Sequence, residues 1–175
     1  LARLGRVGPL LAATTRPPAR VALLFPFSEM AVQGSSSLLA AFELLQGALG
    51  NVDLLHERLA TEEGLAPYGV VAILEAGMHL KRAGPALVRF VERGGLLLAD
   101  RADITDDEGV RGAWPEGFFG TAETPVFEAI AARRRRFGSG RTLLFSAAVA
   151  RAYQRAVERG DRLAVRELRR AVRDA

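Results

Sequence analysis

The stretch that decides the fold, residues 68–100, reads YGVVAILEAGMHLKRAGPALVRFVERGGLLLAD. Val70–Leu74 is a short, unbroken apolar run rich in β-branched residues, which is typical of a strand covered on both faces. From Lys81 to Glu92 the apolar residues recur at intervals of three and four, which predicts a helix that ends at Gly94-Gly95. Leu96–Ala99 is a second buried run. Two such strands joined by one helix must be parallel with a right-handed crossover, so the stretch predicts a βαβ unit.

The same alternation of apolar runs and helical periods continues on both sides of this unit. Four further strands are predicted, at Arg20–Phe27, Val52–Leu55, Val126–Ala132 and Arg141–Phe145. Three further helices are predicted, at Gly34–Gly50, Ala147–Arg159 and Asp161–Arg173, the last with Asp161 as its N-cap. Gly138-Ser139-Gly140 predicts a hairpin before the last strand. This order predicts an α/β fold, with a mostly parallel sheet and helices on both faces.

The length and composition favour one domain. A chain of 175 residues with 49% hydrophobic content is long and apolar enough to bury a core. We assign residues 19–175 to a single α/β domain, and residues 1–18 to an N-terminal helix and a stiff linker from a preceding domain. No apolar run approaches a membrane span and no signal peptide is evident, so we expect a cytoplasmic location and no membrane contact.

The basic charge has an ordinary explanation. The formal net charge is +4, all but one of the 24 basic residues are Arg, and 20 acidic residues are interspersed among them. A bias that runs through the entire chain argues against a dedicated nucleic-acid site, so we do not expect nucleic acid as a partner. The alternative is a nucleic-acid-associated domain that would use Arg133–Arg136 and the Arg-rich last helix.

A ligand site is predicted where the first and central strands end. Open parallel sheets leave a crevice at the carboxyl ends of their strands. The polar residues that the sequence brings nearest to it are Ser28, Glu29, Glu75, His79 and Arg101. The sequence has no paired-carboxylate signature and no calcium-loop spacing, so we expect no catalytic residue, no metal and no cofactor in this chain.

Three large aromatic residues follow the central unit in a predicted loop. Trp114, Phe118 and Phe119 are separated by Pro115 and by glycines rather than by a helical or strand period. Loops normally run over the surface, where such residues would expose an apolar patch. The sequence leaves two outcomes open: an interface with another subunit or domain, or a lid folded back over the sheet edge.

Several pieces of the sequence, taken in order, resemble a known family. They are Val21–Phe27, Val52–Leu55, Leu65–Leu74, Phe90–Leu98 and the acidic loop Asp100–Gly109. Together they resemble the middle, trimerisation domain of family 42 β-galactosidases, whose fold is flavodoxin-like and similar to class I glutamine amidotransferases. The resemblance implies a non-catalytic accessory and oligomerisation domain that follows a catalytic barrel in the same chain. It also implies a homo-oligomer, with the glycosidase carboxylates in the barrel.

The amidotransferase likeness implies no amidotransferase activity here. That chemistry needs a Cys nucleophile beside an oriented His, and this chain contains no Cys. What remains as an alternative is a degenerate amidotransferase-like module that binds a small ligand at the strand ends.

Overall fold

The structure is a computed structural model that describes residues 18–25, 37–74, 80–105, 110–127 and 130–175. The strands within these ranges are β1 Val21–Phe25, β2 Val52–His56, β3 Val70–Ile73, β4 Leu96–Ala99, β5 Ile104–Thr105, β6 Arg111–Gly112, β7 Glu123–Phe127, β8 Ile130–Phe137 and β9 Gly140–Phe145. The α-helices are α1 Leu38–Leu49, α2 Glu62–Leu65, α3 Gly84–Glu92, α4 Val149–Glu158 and α5 Arg162–Arg173. A short 3-10 helix, Glu57–Leu59, follows β2. The predicted N-terminal helix, nearly all of its linker and the predicted start of α1 before Ser37 lie outside the described residues.

Seven of these strands form one sheet in the order β2-β1-β3-β4-β9-β8-β7. The strands from β2 to β9 in that order run parallel to their neighbours, whereas β8 and β7 are antiparallel additions. The order of the parallel strands is that of flavodoxin-like folds. The predicted α/β class with a mostly parallel, flavodoxin-like sheet is therefore confirmed. β5 and β6 form a separate antiparallel ribbon.

The sheet separates two hydrophobic cores. Successive strand residues point to opposite faces, so Leu23 and Leu98 join one core while Leu24 and Leu97 join the other. The first core lies under α1, α4 and α5, and the second lies under α3 and the chain that follows β6. In the described part of the chain, no helix has the length and apolarity needed to cross a membrane. The cytoplasmic location stays a prediction.

The central βαβ unit matches its prediction closely. Val70 pairs with Leu96 and Ile73 with Ala99 in one parallel register. The helix begins at Gly84 rather than at Lys81, because Pro85 occupies its first turn and residues 81–83 form a turn instead. The backbone N–H of Lys81 donates to the carbonyl oxygen of Thr105 at 2.9 Å, which ties this turn to the β5–β6 ribbon.

The predicted strand Val126–Ala132 is wrong. Phe127 pairs with Ile130 in antiparallel register, so the chain reverses direction in the middle of that run. One strand ends at Phe127 and the next continues through Arg133–Arg136 to Phe137. Local apolar content could not locate this reversal, since the apolar positions continue from Val126 and Phe127 to Ile130 and Ala131 on the other side of it. Arg133 consequently lies between β7 and β9, paired with Glu123 on one side and Leu144 on the other.

Two glycine-rich turns touch through their backbones. The N–H of Ser139, in the β8–β9 turn, donates to the carbonyl oxygen of Glu92 at 3.0 Å, at the end of α3. The N–H of Arg141 donates to the carbonyl oxygen of Gly95 at 3.1 Å. A Cβ atom on Gly140 would collide with the carbonyl oxygens of Val91 and Gly95. Only glycine at position 140 permits this approach.

We expect Gly140→Ala to lower the free energy of unfolding by about 3 kcal/mol, because the added methyl meets backbone atoms that cannot rotate away. The matched control is Gly69→Ala, where the nearest atom to an added Cβ is the Arg20 carbonyl oxygen at 3.9 Å. The control should change stability by less than about 1 kcal/mol. Urea unfolding followed by circular dichroism measures both, and equal losses in the two variants would contradict the proposed close contact.

Candidate functional site

The carboxyl edge of the sheet is described only in part. β1, β3 and β4 are parallel and end there at Phe25, Ile73 and Ala99. Of the residues predicted to line a ligand crevice, Ser28, Glu29, Glu75 and His79 lie outside the described residues. Arg101 is exposed, two residues after the end of β4. The predicted ligand site at this edge therefore stays a prediction.

The described residues contain no cluster of metal-binding side chains. Within these ranges, no group of three or more His, Asp or Glu side chains is arranged to hold a metal ion. Residues 106–109 of the acidic loop lie outside them. The sequence has no Cys, which excludes a thiolate ligand or a thiol nucleophile anywhere in these 175 residues.

The three predicted interface aromatics form one cluster against the sheet. The ring of Trp114 stacks on that of Phe118, with centroids 4.8 Å apart and planes within 4° of parallel. Phe119 meets both rings edge-on, at 5.6 Å from Trp114 and 5.1 Å from Phe118. Phe137 of β8 meets Phe118 edge-on at 5.0 Å. Stacked and edge-to-face rings at these distances attract one another beyond their burial of area.

The cluster closes over the sheet at Phe118. This side chain is 1% exposed and belongs to the core beneath α3. The buried hydroxyl of Thr142, on β9, donates to the Phe118 carbonyl oxygen at 2.6 Å, which fixes the loop to the sheet. Trp114 and Phe119 are only partly buried. Phe118 therefore folds back over the sheet, as expected for a lid. Trp114 and Phe119 keep exposed surface that an interface could cover.

A groove of about 530 Å³ lies beside Trp114. Its apolar wall consists of Val88, Ile104, Trp114 and Pro115, and we call it the Trp114 groove. Lys81, Arg89 and Glu92 stand at its border. An apolar groove with a charged border is a common form of protein-binding surface. The sequence indicated Trp114, but it gave no sign that α3 supplies the facing wall.

An ion-pair network between α2 and the C-terminal half of α3 escaped the sequence analysis. The carboxylate of Glu62, on α2, accepts hydrogen bonds from the guanidinium groups of Arg89 and Arg93, on α3. Both interactions lower the pKa of Glu62, with the Arg89 hydrogen bond as the larger cause. The two arginines are one helical turn apart, which the sequence does reveal, but Glu62 precedes Arg89 by 27 residues. Only the packing of α2 on α3 brings them together.

A second polar contact lies nearby. The hydroxyl of Tyr68 donates to a carboxylate oxygen of Asp53 at 3.3 Å. Burial, followed by the negative charge of Asp53, raises the pKa of Tyr68. Tyr68 and Phe90 border a cavity of about 340 Å³ at the amino ends of β3 and β4. The contacts at this edge fasten α2 and β2 to the central unit, and none of them forms a nucleophile–base pair.

Neither a protein-family model nor a curated protein matches the sequence. Solved structures do match the fold. A GH42 β-galactosidase from G. stearothermophilus superposes with a TM-score of 0.58 and 13% identity, over 91% of this chain and 33% of that one. A β-galactosidase from Bacillus circulans sp. alkalophilus gives 0.62 and 17%, over 91% and 34%. An exo-β-1,4-mannosidase from Opitutaceae bacterium strain TAV5 gives 0.63 and 14%, over 95% and 37%.

The chain therefore spans about a third of the length of these solved glycosidases. The predicted resemblance to GH42 β-galactosidases is confirmed at the level of the fold. Sequence identities of 13–17% show that the fold is shared. They do not assign an active site to this chain, because a shared fold does not imply a shared function.

We expect Glu62→Gln to lower stability at pH 7 and to lower it less at pH 3. Because folding lowers the pKa of Glu62, its ion pairs stabilise the folded state above the ordinary Glu pKa of 4.5, and this stabilisation is lost as the pH falls below that value. The exposed neighbour Glu63 supplies the control, Glu63→Gln. Urea midpoints at both pH values test this, and a Glu62→Gln effect that persists unchanged at pH 3 would contradict it.

Proposed function

We propose that this chain is a non-catalytic accessory domain of a larger glycoside hydrolase of the GH42 β-galactosidase type. The observation that carries the proposal is the asymmetry of the structural match. More than nine-tenths of this chain superposes on glycosidases of which it covers only about a third. A region matched in this way is one part of a longer architecture, and we infer that the remainder in this protein is a preceding catalytic barrel.

The chemistry of the described residues supports a role without catalysis. Glycoside hydrolysis requires two carboxyl groups held on either side of a sugar ring. Two carboxylate contacts join different elements around the central unit, that of Glu62 with two arginines and that of Asp53 with Tyr68. Each joins elements of the scaffold. A carboxylate whose pKa is lowered by two guanidinium groups is also a poor general acid.

The Trp114 groove supports a role in assembly. Trp114 and Phe119 retain exposed area, and Val110, just before β6, is 55% exposed. Exposed aromatic groups that border an apolar groove commonly dominate the energy of an interface. We infer that this surface contacts the barrel or a second subunit of a homo-oligomer. Because Phe118 is buried, we assign it to the stability of the domain rather than to the proposed interface.

We expect the isolated 175-residue chain to hydrolyse neither aryl β-galactosides nor aryl β-mannosides, and to release no ammonia from glutamine. The reason is that the sequence contains no Cys and no paired-carboxylate signature of a glycosidase. The product of the full reading frame should hydrolyse at least one of the two glycosides. Chromogenic assays on both proteins test this, and turnover by the isolated chain above a heat-denatured sample would overturn the proposal.

We expect Trp114→Ala to weaken assembly by roughly 2 kcal/mol or more while leaving the fold intact. Phe118→Ala should act in the opposite way: it should lower the free energy of unfolding by about 3–5 kcal/mol and leave the oligomer distribution of the folded protein unchanged. The control is Leu59→Ala, an apolar residue that is 58% exposed on the short 3-10 helix. Sedimentation velocity and thermal unfolding separate the effects. A wild-type full-length protein that is strictly monomeric at high micromolar concentration would exclude self-association.

A further inference from the structure

The last helix carries a concentrated positive charge. α5 has 12 residues, and its sequence RLAVRELRRAVR contains five arginines and one carboxylate. Arg162, Arg166 and Arg170 follow one another at intervals of four residues, as do Arg169 and Arg173. Like charges at this spacing destabilise a helix. The arrangement is therefore poorly explained by the stability of α5 itself.

These arginines border a groove of about 900 Å³ between α5, α4 and the end of α1. Its floor is apolar and includes Ala156, Val157 and Val165. Val157 is 47% exposed, so the floor presents aliphatic surface beside the arginines. We call this surface the arginine groove.

Two of the guanidinium groups are held in place by the fold. Arg169 donates to the Tyr153 hydroxyl at 2.6 Å and lies over that ring, 5.5 Å from its centroid. It also packs where a Cβ of residue 47 would stand, so Gly47 makes room for it. Arg173 donates through Nε to the Ala48 carbonyl oxygen at 3.2 Å. Cations fixed in this way lose little freedom when an anion binds.

Arg166 and Arg170 form only weak, exposed ion pairs that a binding partner can replace. The side chains of Arg166 and Arg170 are 76% and 70% exposed. Arg166 lies 3.9 Å from the carboxylate of Glu167, on the same helix, and Arg170 lies 3.4 Å from that of Asp174, which follows the helix. Ion pairs with this exposure contribute little free energy, so a better-placed partner carboxylate can replace them.

We propose that the arginine groove binds an acidic amphipathic helix of a partner protein. The stripe from Arg162 to Arg173 is about 16 Å long at 1.5 Å per residue, which exceeds the reach of one small anion. Carboxylates four residues apart on a partner helix have the same spacing as these arginines. The apolar floor suits the leucine or valine side of such a helix.

The lining of the groove disfavours nucleic acid. Single-stranded nucleic acid binds by stacking its bases on exposed aromatic rings. Among the described residues around this groove the aromatic ring is Tyr153, which is 2% exposed and sits beneath Arg169. Of the β8 arginines, Arg134 reaches the end of α5, where its guanidinium donates to the Asp174 carbonyl oxygen at 3.5 Å. Successive side chains of a strand point to opposite faces, so Arg133–Arg136 as a run does not extend the stripe as one surface. This inference does not depend on the proposed glycosidase role.

The test measures binding of a fluorescein-labelled synthetic helix of about 16 residues, with Glu at every fourth position and Leu on the adjacent face. Fluorescence anisotropy with the 175-residue chain should give a dissociation constant in the micromolar range. Arg166→Gln with Arg170→Gln should weaken binding by about tenfold or more. The control, Arg58→Gln with Arg111→Gln, removes the same charge from exposed residues outside the groove and should change binding less than about twofold.

Two further probes separate the contribution of the peptide carboxylates from that of the apolar floor. A peptide with Gln in place of every Glu should bind about tenfold more weakly, and Val157→Ser should weaken the acidic peptide through the apolar floor. Circular dichroism checks that every variant keeps its helices. Absence of peptide binding, or equal losses in the two double variants, would overturn the proposal. So would tighter binding of a single-stranded DNA of about 16 nucleotides with the same dependence on Arg166 and Arg170, which would assign the groove to nucleic acid.

Discussion

The contact between two glycine turns determines how the two halves of the sheet are joined. The end of α3 and the β8–β9 turn approach so closely that backbone donates to backbone, at Ser139 and at Arg141. This contact places the start of β9 beside the start of β4, in the register that pairs Leu96 with Arg141. Because α4 and α5 follow β9 in the chain, the whole core on their side of the sheet depends on that position.

The sheet then isolates the two candidate surfaces from each other. The Trp114 groove lies on the α3 face, and the arginine groove lies on the face covered by α1, α4 and α5. The Trp114 groove is apolar with a mixed charged border. The arginine groove combines an apolar floor with five arginines, which outnumber the three carboxylates that also line it, Asp161, Glu167 and Asp174. A partner on one face therefore leaves the other accessible. This arrangement supports the proposed role as an accessory domain that contacts other domains or subunits.

Low sequence identity with a retained fold has a simple physical basis. A flavodoxin-like core needs apolar residues at alternating strand positions and at helical intervals, and it accepts many combinations of Val, Leu, Ile and Ala there. The solved glycosidases share 13–17% of residues with this chain and keep its architecture. Exposed surface carries no such requirement, so the exposed arginines of α5 and the exposed side of Trp114 are properties of this chain that the fold did not demand.

The sequence by itself determined the central βαβ unit, the parallel strands at Val21 and Val52, and the cap of α5, where Asp161 accepts from the Ala164 N–H at 3.0 Å. These features follow from periodicity, glycine stops and capping side chains, which act over a few neighbouring residues. Only the tertiary structure decided the chain reversal after Phe127, the burial of Phe118, the pairing of Glu62 with α3, and the place that Gly47 leaves for Arg169. Each of these depends on groups far apart in the chain, whose proximity the packing of helices and strands creates and no local pattern encodes.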